Sequence, residues 1–281
     1  MAEPETPRKS RAGRNLPAAI AVGAVLGAMA IGILLFRPDA WFVVLAIAIP
    51  VATHEVTRRL QEAGYAIPLV ALLIGGQAIL WLTWPFHAKG ALMGYGATIV
   101  VCMVWRLLGK GLSDPPVNYL RDISATVLLA TWIPLFATFS ALLIFQDHGG
   151  GRVFSVIATV VFADIGGYTA GVLFGKHPMV PAISPKKSWE GFGGSLLFGI
   201  TASVLSVTFL LDQPPWVGVP LGLLLVVTGV LGDLVESQVK RDLGIKDMGA
   251  LLPGHGGSMD RIDAMLPAAV AGWIVLTLLA T

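Results

Sequence analysis

Hydrophobic positions run through this chain in long unbroken stretches, without the alternation of a half-buried strand or the one-sided periodicity of a soluble helix. Helices that cross the hydrocarbon of a bilayer need about 17 to 25 apolar residues. Nine such runs can be placed, beginning near Leu16, Trp41, Ile67, Ala91, Ile123, Val153, Phe192, Val217 and Ala264. They predict an all-α polytopic membrane protein with about nine transmembrane helices. The run from Trp41 is the weakest, because it reaches only Thr53 before His54 and Glu55, and it predicts a span that is tilted or partly inserted.

Composition agrees with the pattern. The 281 residues are 55% hydrophobic and 13% charged, against about 25% charged in soluble domains. Lys and Arg collect in cytoplasmic loops. With the N-terminus inside and nine spans, only Arg37, Lys89 and Arg152 of the 19 basic residues fall on the outer side. Residues 1–15 are polar and basic, and read as a disordered cytoplasmic tail drawn to anionic lipid. A signal peptide is the rival reading, opposed by an apolar run that continues to Phe36. Residues 16–281 form one expected transmembrane catalytic domain, in which 16–145 is mainly scaffold and 153–281 bears the site. The single Cys102 excludes an intramolecular disulfide. Most tryptophans fall near span ends, where indoles favour the headgroup layer, and His54, His87 and His148 read as isolated interfacial residues.

The candidate chemistry is concentrated in the second half. Asp164 lies midway through the sixth run, where a carboxylate costs on the order of 2.5 to 3.5 kcal/mol. It predicts either a polar cavity or a structural hydrogen bond, with Tyr168 one turn on and Gly167 and Gly171 forming a smooth face. The following loop contains Ser184, Pro185, Lys186, Lys187, Ser188, Trp189, Glu190 and Gly191, either a preformed anion clamp or an ordinary cytoplasmic basic loop.

Asp233, Glu236, Ser237 and Lys240 follow i, i+3, i+4, i+7 spacing and share one helical face. The carboxylates suit a hard cation, and Ser237 and Lys240 suit phosphate oxygens; a solvated Glu236–Lys240 ion pair is the plain alternative. Lys246 and Asp247 lead into Pro253-Gly254-His255-Gly256-Gly257, a turn able to present backbone N–H groups to an anion. Asp260 and Asp263 stand one turn apart with Arg261 between them. With Asp233 they could form a carboxylate cluster for one or two divalent ions, as nucleotidyl transfer requires, and Mg²⁺ fits such oxygen-rich ligands better than zinc. No P-loop, His-Glu-x-x-His or Gly-x-Ser-x-Gly motif occurs.

Residues 237–263 resemble the signature of the membrane phosphatidate cytidylyltransferases, also called CDP-diacylglycerol synthases. The pattern is carried by Ser237, Lys240, Arg241, Lys246, Asp247, Gly249, Leu252, Pro253, His255, Gly256, Gly257, Asp260, Arg261 and Asp263. Ser258 departs from it, standing where the family usually has an aliphatic residue. Residues 164–176 and 184–191 also resemble the family's, so the likeness covers roughly the second half.

The resemblance implies a Mg²⁺-dependent reaction of phosphatidate with CTP. Metal would be held by Asp233, Asp260 and Asp263, with Asp164 and Glu236 as further candidates. Catalytic roles would fall to Asp233, Asp260, Lys240, Arg241 and His255, the last as either a proton acceptor or a turn-stabilising residue. Substrate phosphates would be shared among Ser184, Lys186, Lys187, Ser237, Lys240, Arg241, Lys246, Gly256, Gly257 and Arg261. It also implies K⁺ near the carboxylates and a homodimer. Expected partners are CTP, phosphatidate and membrane lipid, with no nucleic acid. The expected location is a bacterial inner membrane, with the site facing the cytoplasm. The rivals are a CTP-dependent polyprenol or phytol kinase, distinguished by its CDP product, and an ion-coupled transporter using Asp164.

Overall fold

The computed structural model of the chain describes residues 16–109, 111, 113–249 and 257–280. The basic tail predicted at 1–15, and the candidate residues His255 and Gly256, lie outside the described residues.

The chain folds into helices α1 (Leu16–Phe36), α2 (Trp41–Glu62), α3 (Leu69–Trp81), α4 (Thr83–Leu108), α5 (Tyr119–Ala130), α6 (Phe136–Ile144) and α7 (Gly149–Phe174). A hairpin of β1 (Pro178–Val180) and β2 (Ser184–Ser188) precedes α8 (Trp189–Leu210), α9 (Pro215–Asp242), the single turn α10 (Met259–Ile262) and α11 (Met265–Leu279). Helices are the solution a bilayer demands, since each satisfies its own backbone polar groups. Between α5 and α6 the helix widens into a π turn at Thr131–Leu135. Pro134 within it has no N–H to donate, and the turn absorbs the lost bond.

Among the described residues, seven helices are long and apolar enough to cross a membrane. This is an all-α polytopic membrane protein, and the predicted runs correspond to its helices in order. Two lengths differ from expectation. The run from Trp41 continues as helix through His54 and Glu55 to Glu62, so the second span is long rather than truncated. Its last turns are amphipathic: Val56, Thr57 and Leu60 are buried while Arg58 is exposed, a pattern that hydropathy alone reads as an ending. The helix at Leu69–Trp81 is instead the short one, with 13 residues. At 1.5 Å per residue it spans about 20 Å, less than the roughly 30 Å of hydrocarbon.

The interior is packed by Ile49, Leu72, Leu80, Ile133, Leu143, Leu221 and Leu225, all fully buried. The outer surface is as apolar as the core, with Ile47, Leu92, Leu197, Phe209 and Leu278 exposed, as suits a lipid solvent. At the end of the bundle where α7 begins and α11 ends, buried Arg152 donates to the carbonyls of Asp147, Leu276 and Ala280 and to Gln146 Oε1. The ends of α2, α7 and α9 and the starts of α8 and α11 gather at the opposite end, where the charged segments meet.

Candidate active site

The site begins with the close approach of two helices. A Cβ on Gly232 would stand 2.5 Å from Asp263 O and 2.6 Å from Pro267 Cγ, so only glycine lets the start of α11 lie against α9 here. That approach brings Asp263 to the face of α9 carrying Asp233 and Glu236. One carboxylate oxygen from each of the three lies within 4.8 Å of the others. Glu236 is 1% exposed and Asp263 8%, so two of the three carboxylates are removed from bulk water, while Asp233 is partly exposed toward the hairpin.

Two lysines approach it from different sides. Lys240 Nζ contacts the Glu236 carboxylate one turn back on α9 and donates to Asp260 Oδ1 at 2.9 Å. Lys187 Nζ, on β2, stands 2.5 Å from Asp233 Oδ2. Ser237 donates to Asp233 Oδ1 at 3.3 Å. The Glu236–Lys240 pair read from sequence spacing therefore exists, but it is an inward-facing element of the cluster rather than a solvated helix end.

Asp260 is placed beside the cluster and engaged by donors. Besides Lys240 it accepts the backbone N–H of Met248 at 3.0 Å and of Gly257 at 2.8 Å, both on Oδ2. It thereby closes the base of the loop whose two limbs are Met248–Gly249 and Gly257–Met259. The carboxylates drawn together as possible metal ligands are Asp233, Glu236 and Asp263. Arg261 is exposed on α10, and Lys246 is exposed after the left-handed Gly244 that ends α9.

The predicted basic loop is a short antiparallel hairpin. Its two strands of three and five residues, one containing Pro185, are too short for alternation to reveal. Ser188 caps α8 by accepting the Gly191 N–H at 3.1 Å. Glu190 accepts the N–H groups of Lys176 and His177 and meets His177 Nδ1 at 2.5 Å, tying the first strand's approach to α8. Arg241 Nε donates to Ile183 O at 2.5 Å and holds the tip of the hairpin to α9. Arg241, predicted as a phosphate ligand, thus has a structural contact as well. Ser184 begins β2.

Between the hairpin, α7, α8 and α9 is a cavity of about 290 Å³ lined by Asp164, Tyr168, Lys186, Lys187, Ser188 and Asp233, with Gly167, Gly171, Phe192 and Val230 among its apolar walls. Of the two readings of Asp164, the structure gives the polar cavity. Three segments far apart in sequence converge there on one small volume at the end of the bundle.

Sequence reasoning missed Glu55 and Arg59 on α2. Glu55 Oε2 accepts the Met259 N–H at 3.1 Å, and Arg59 Nε donates to Met248 O at 2.9 Å. The part of the chain read as scaffold therefore touches both limbs of the signature loop. No local spacing marks this role; the only signal was a carboxylate within an apolar run.

Comparison with known proteins finds relatives along nearly the whole chain. Over 278 residues the chain is 61% identical to a protein of Mycobacterium bovis named phosphatidate cytidylyltransferase, covering 96% of this chain and 91% of the relative. A Mycobacterium leprae protein of the same name is 61% identical over 285 residues, covering 98% and 91%. One from Pseudomonas aeruginosa is 35% identical over 232 residues, covering 77% and 79%. The model of the cytidylyltransferase family matches residues 17–279. The likeness therefore spans the α2 anchor as well as the acidic cluster and the lysine hairpin, and the chain belongs to the cytidylyltransferase family.

Proposed function

We propose that this chain transfers CMP from CTP to phosphatidate, forming CDP-diacylglycerol and pyrophosphate in phospholipid synthesis. The observation that carries this reading is the meeting of Asp233, Glu236 and Asp263 with Lys187 and Lys240, beside a cavity at the ends of apolar helices. A lipid headgroup and a soluble nucleotide can both reach such a place. The name shared by relatives that align along nearly the whole chain supports the same substrates.

The residues fit a divalent cation. All three cluster ligands are carboxylate oxygens, the donor set of Mg²⁺, and Glu236 Oε1 is buried without a hydrogen-bond partner among the described residues. Asp233, Glu236 and Asp263 would hold the ion, with Asp260 and Asp164 alongside. When bound, Mg²⁺ would neutralise charge on the nucleotide phosphates and on the departing pyrophosphate. The K⁺ implied by the resemblance would sit near the same carboxylates.

The remaining work falls to the chain's own groups. A non-bridging oxygen of the phosphatidate phosphate forms a bond to the α-phosphorus of CTP. The bond from that phosphorus to the α–β bridging oxygen breaks, and its electron pair leaves with pyrophosphate. Lys186 and Lys187 would hold phosphate oxygens on the hairpin side, and Lys240 would do so from α9. Alignment of two anions that repel each other in water is the main service such a site provides.

Purified protein in detergent, given phosphatidate, CTP and Mg²⁺, should release pyrophosphate and form a lipid with the mass of CDP-diacylglycerol, and EDTA should stop both. Release of CDP in place of pyrophosphate would make the protein a lipid kinase. Nucleotide-independent ion flux in proteoliposomes, with no lipid product, would make it a transporter.

In this reading the protein lies in a bacterial inner membrane with its site facing cytosolic CTP. A cysteine introduced as Asp242→Cys should then resist a membrane-impermeant maleimide until right-side-out vesicles are opened. The homodimer implied by the resemblance would appear as twice the chain mass in native mass spectrometry.

A further inference from the structure

The contacts of α2 with the signature loop extend this reading to the half of the chain that carries none of the acidic cluster. Glu55 Oε2 accepts the Met259 N–H at 3.1 Å, and Glu55 Oε1 is buried with no hydrogen-bond partner among the described residues. The loop passes so close that a Cβ on Gly249 would stand 2.3 Å from Oε1, and one on Gly257 would stand 2.9 Å from Oε2. Two glycines, one on each limb, therefore accommodate this one carboxylate.

The limbs are joined a second time. Arg59 holds Met248 through its carbonyl, and the N–H groups of Met248 and Gly257 both point at Asp260 Oδ2. Asp260 then takes Lys240, whose Nζ also contacts Glu236 of the cluster. Met248 and Met259 are 1% and 0% exposed, so both limbs are embedded in the core rather than resting on its surface. A continuous set of contacts runs from α2 to the acidic cluster, through backbone groups that sequence comparison would not single out.

We propose that Glu55 is a positioning residue for cytidylyl transfer. It fixes the limb carrying Met259, and with it the placement of Asp260 and Asp263 against Glu236 and Lys240, without touching substrate. A carboxylate suits this task because it accepts a backbone N–H strongly while its second oxygen bars any side chain from the opposing limb. The proposal rests on the reading of this site as the transferase centre.

The test uses the full-length protein in detergent. Glu55→Ala should lower kcat by about 10- to 100-fold, the range for loss of one charged hydrogen bond, with little change in KM for CTP. Amide hydrogen exchange without metal or substrate should rise across residues 257–263 and stay unchanged in α4 and α7. Glu55→Gln, which keeps an acceptor of the same shape, should recover most of the rate. Gly249→Ala should be impaired because its methyl meets Glu55, so adding Glu55→Ala to it should cost far less than the product of the two single effects.

Wild-type exchange at 257–263 in Glu55→Ala, an exchange increase throughout the helices, or independent effects in the double variant would each overturn the proposal. If Glu55→Ala fails to fold, the comparison of Gly249→Ala with Gly249→Ala/Glu55→Asp decides: the shorter carboxylate withdraws from the added methyl, so recovery supports the contact and equal impairment argues against it. Wild-type protein that makes no CDP-diacylglycerol would sink the functional reading, whereas an active wild type with unaltered exchange in Glu55→Ala would sink the positioning role alone.

Discussion

Lys187 Nζ stands 2.5 Å from Asp233 Oδ2, so the hairpin strand β2 is fastened to the acidic face of α9 by an ion pair. Both side chains are partly exposed, at 25% and 38%, and such pairs contribute little to folding. In the proposed reaction the contact would instead hold a cation where phosphates arrive, since both residues line the same cavity.

Lys187→Ala should accordingly leave thermal unfolding almost unchanged and weaken substrate handling. A charged hydrogen bond to phosphate is worth about 1.5 to 3 kcal/mol, which corresponds to a fall in kcat/KM of roughly 10- to 100-fold. Steady-state kinetics with CTP and phosphatidate varied separately would show which substrate depends on it. An unaltered kcat/KM for both would leave Lys187 as a surface ion pair.

Gly232 offers a test of the helix approach that assembles the cluster. In Gly232→Ala the methyl would meet Asp263 O and Pro267 Cγ at 2.5 and 2.6 Å, and neither neighbour is the end of a flexible side chain. Overpacking of this kind costs about 1 to 3 kcal/mol, and relief by moving α11 would carry Asp263 away from Asp233 and Glu236. Turnover should therefore fall by more than the loss of folded protein explains. Thermal unfolding and turnover per folded molecule, measured together, separate the two effects.

Asp263→Asn and Asp260→Asn should behave differently although the carboxylates are three residues apart. Asp263 lies among like charges within 4.8 Å, so removing its charge should raise the unfolding temperature in EDTA while abolishing turnover. Asp260 accepts Lys240 and two backbone N–H groups. An amide there leaves the mostly buried Lys240 with the Glu236 carboxylate alone and turns one donor toward donors, so Asp260→Asn should lose both turnover and stability. Mg²⁺ should stabilise the wild type in proportion to RT ln(1 + [Mg²⁺]/Kd) and have little effect on Asp263→Asn. Differential scanning fluorimetry across a Mg²⁺ titration checks all three expectations.

Much of this arrangement was readable from residues alone, because two of its causes are local. Hydrophobic run length reveals helices in a lipid solvent, and helical spacing put Asp233, Glu236, Ser237 and Lys240 on one face of α9, where the structure also has them. What escaped reading depends on contacts between distant segments. Asp164, Lys187 and Asp233 each drew notice within their own motifs, but their shared cavity exists only once α7, α8 and α9 pack. Glu55 escaped because its partner is the backbone N–H of Met259, which carries no residue-type signature. The second span reads as too short in sequence because its final turns are helical by amphipathic packing rather than by apolarity.

Arg152 tests the opposite end of the bundle. Its guanidinium donates to Asp147 O, Gln146 Oε1, Leu276 O and Ala280 O, and the last two belong to the end of α11, where a cation also opposes the negative pole of the helix dipole. Arg152→Met keeps much of the side-chain volume but withdraws every donor. Stranded acceptors cost about 1 to 3 kcal/mol each when buried, although the polar cavity beside Arg152, lined by Gln146, His148, Asp212 and Gln213, would let water serve some of them. A net loss of about 2 to 4 kcal/mol follows, read as a lower unfolding temperature. Turnover per folded molecule should stay at the wild-type level, because none of these partners belongs to the acidic cluster or its cavity. A loss of turnover without a loss of stability would instead mean that α11 transmits its far-end position to Asp263 at its start, and the two ends of the bundle would have to be treated as one functional unit.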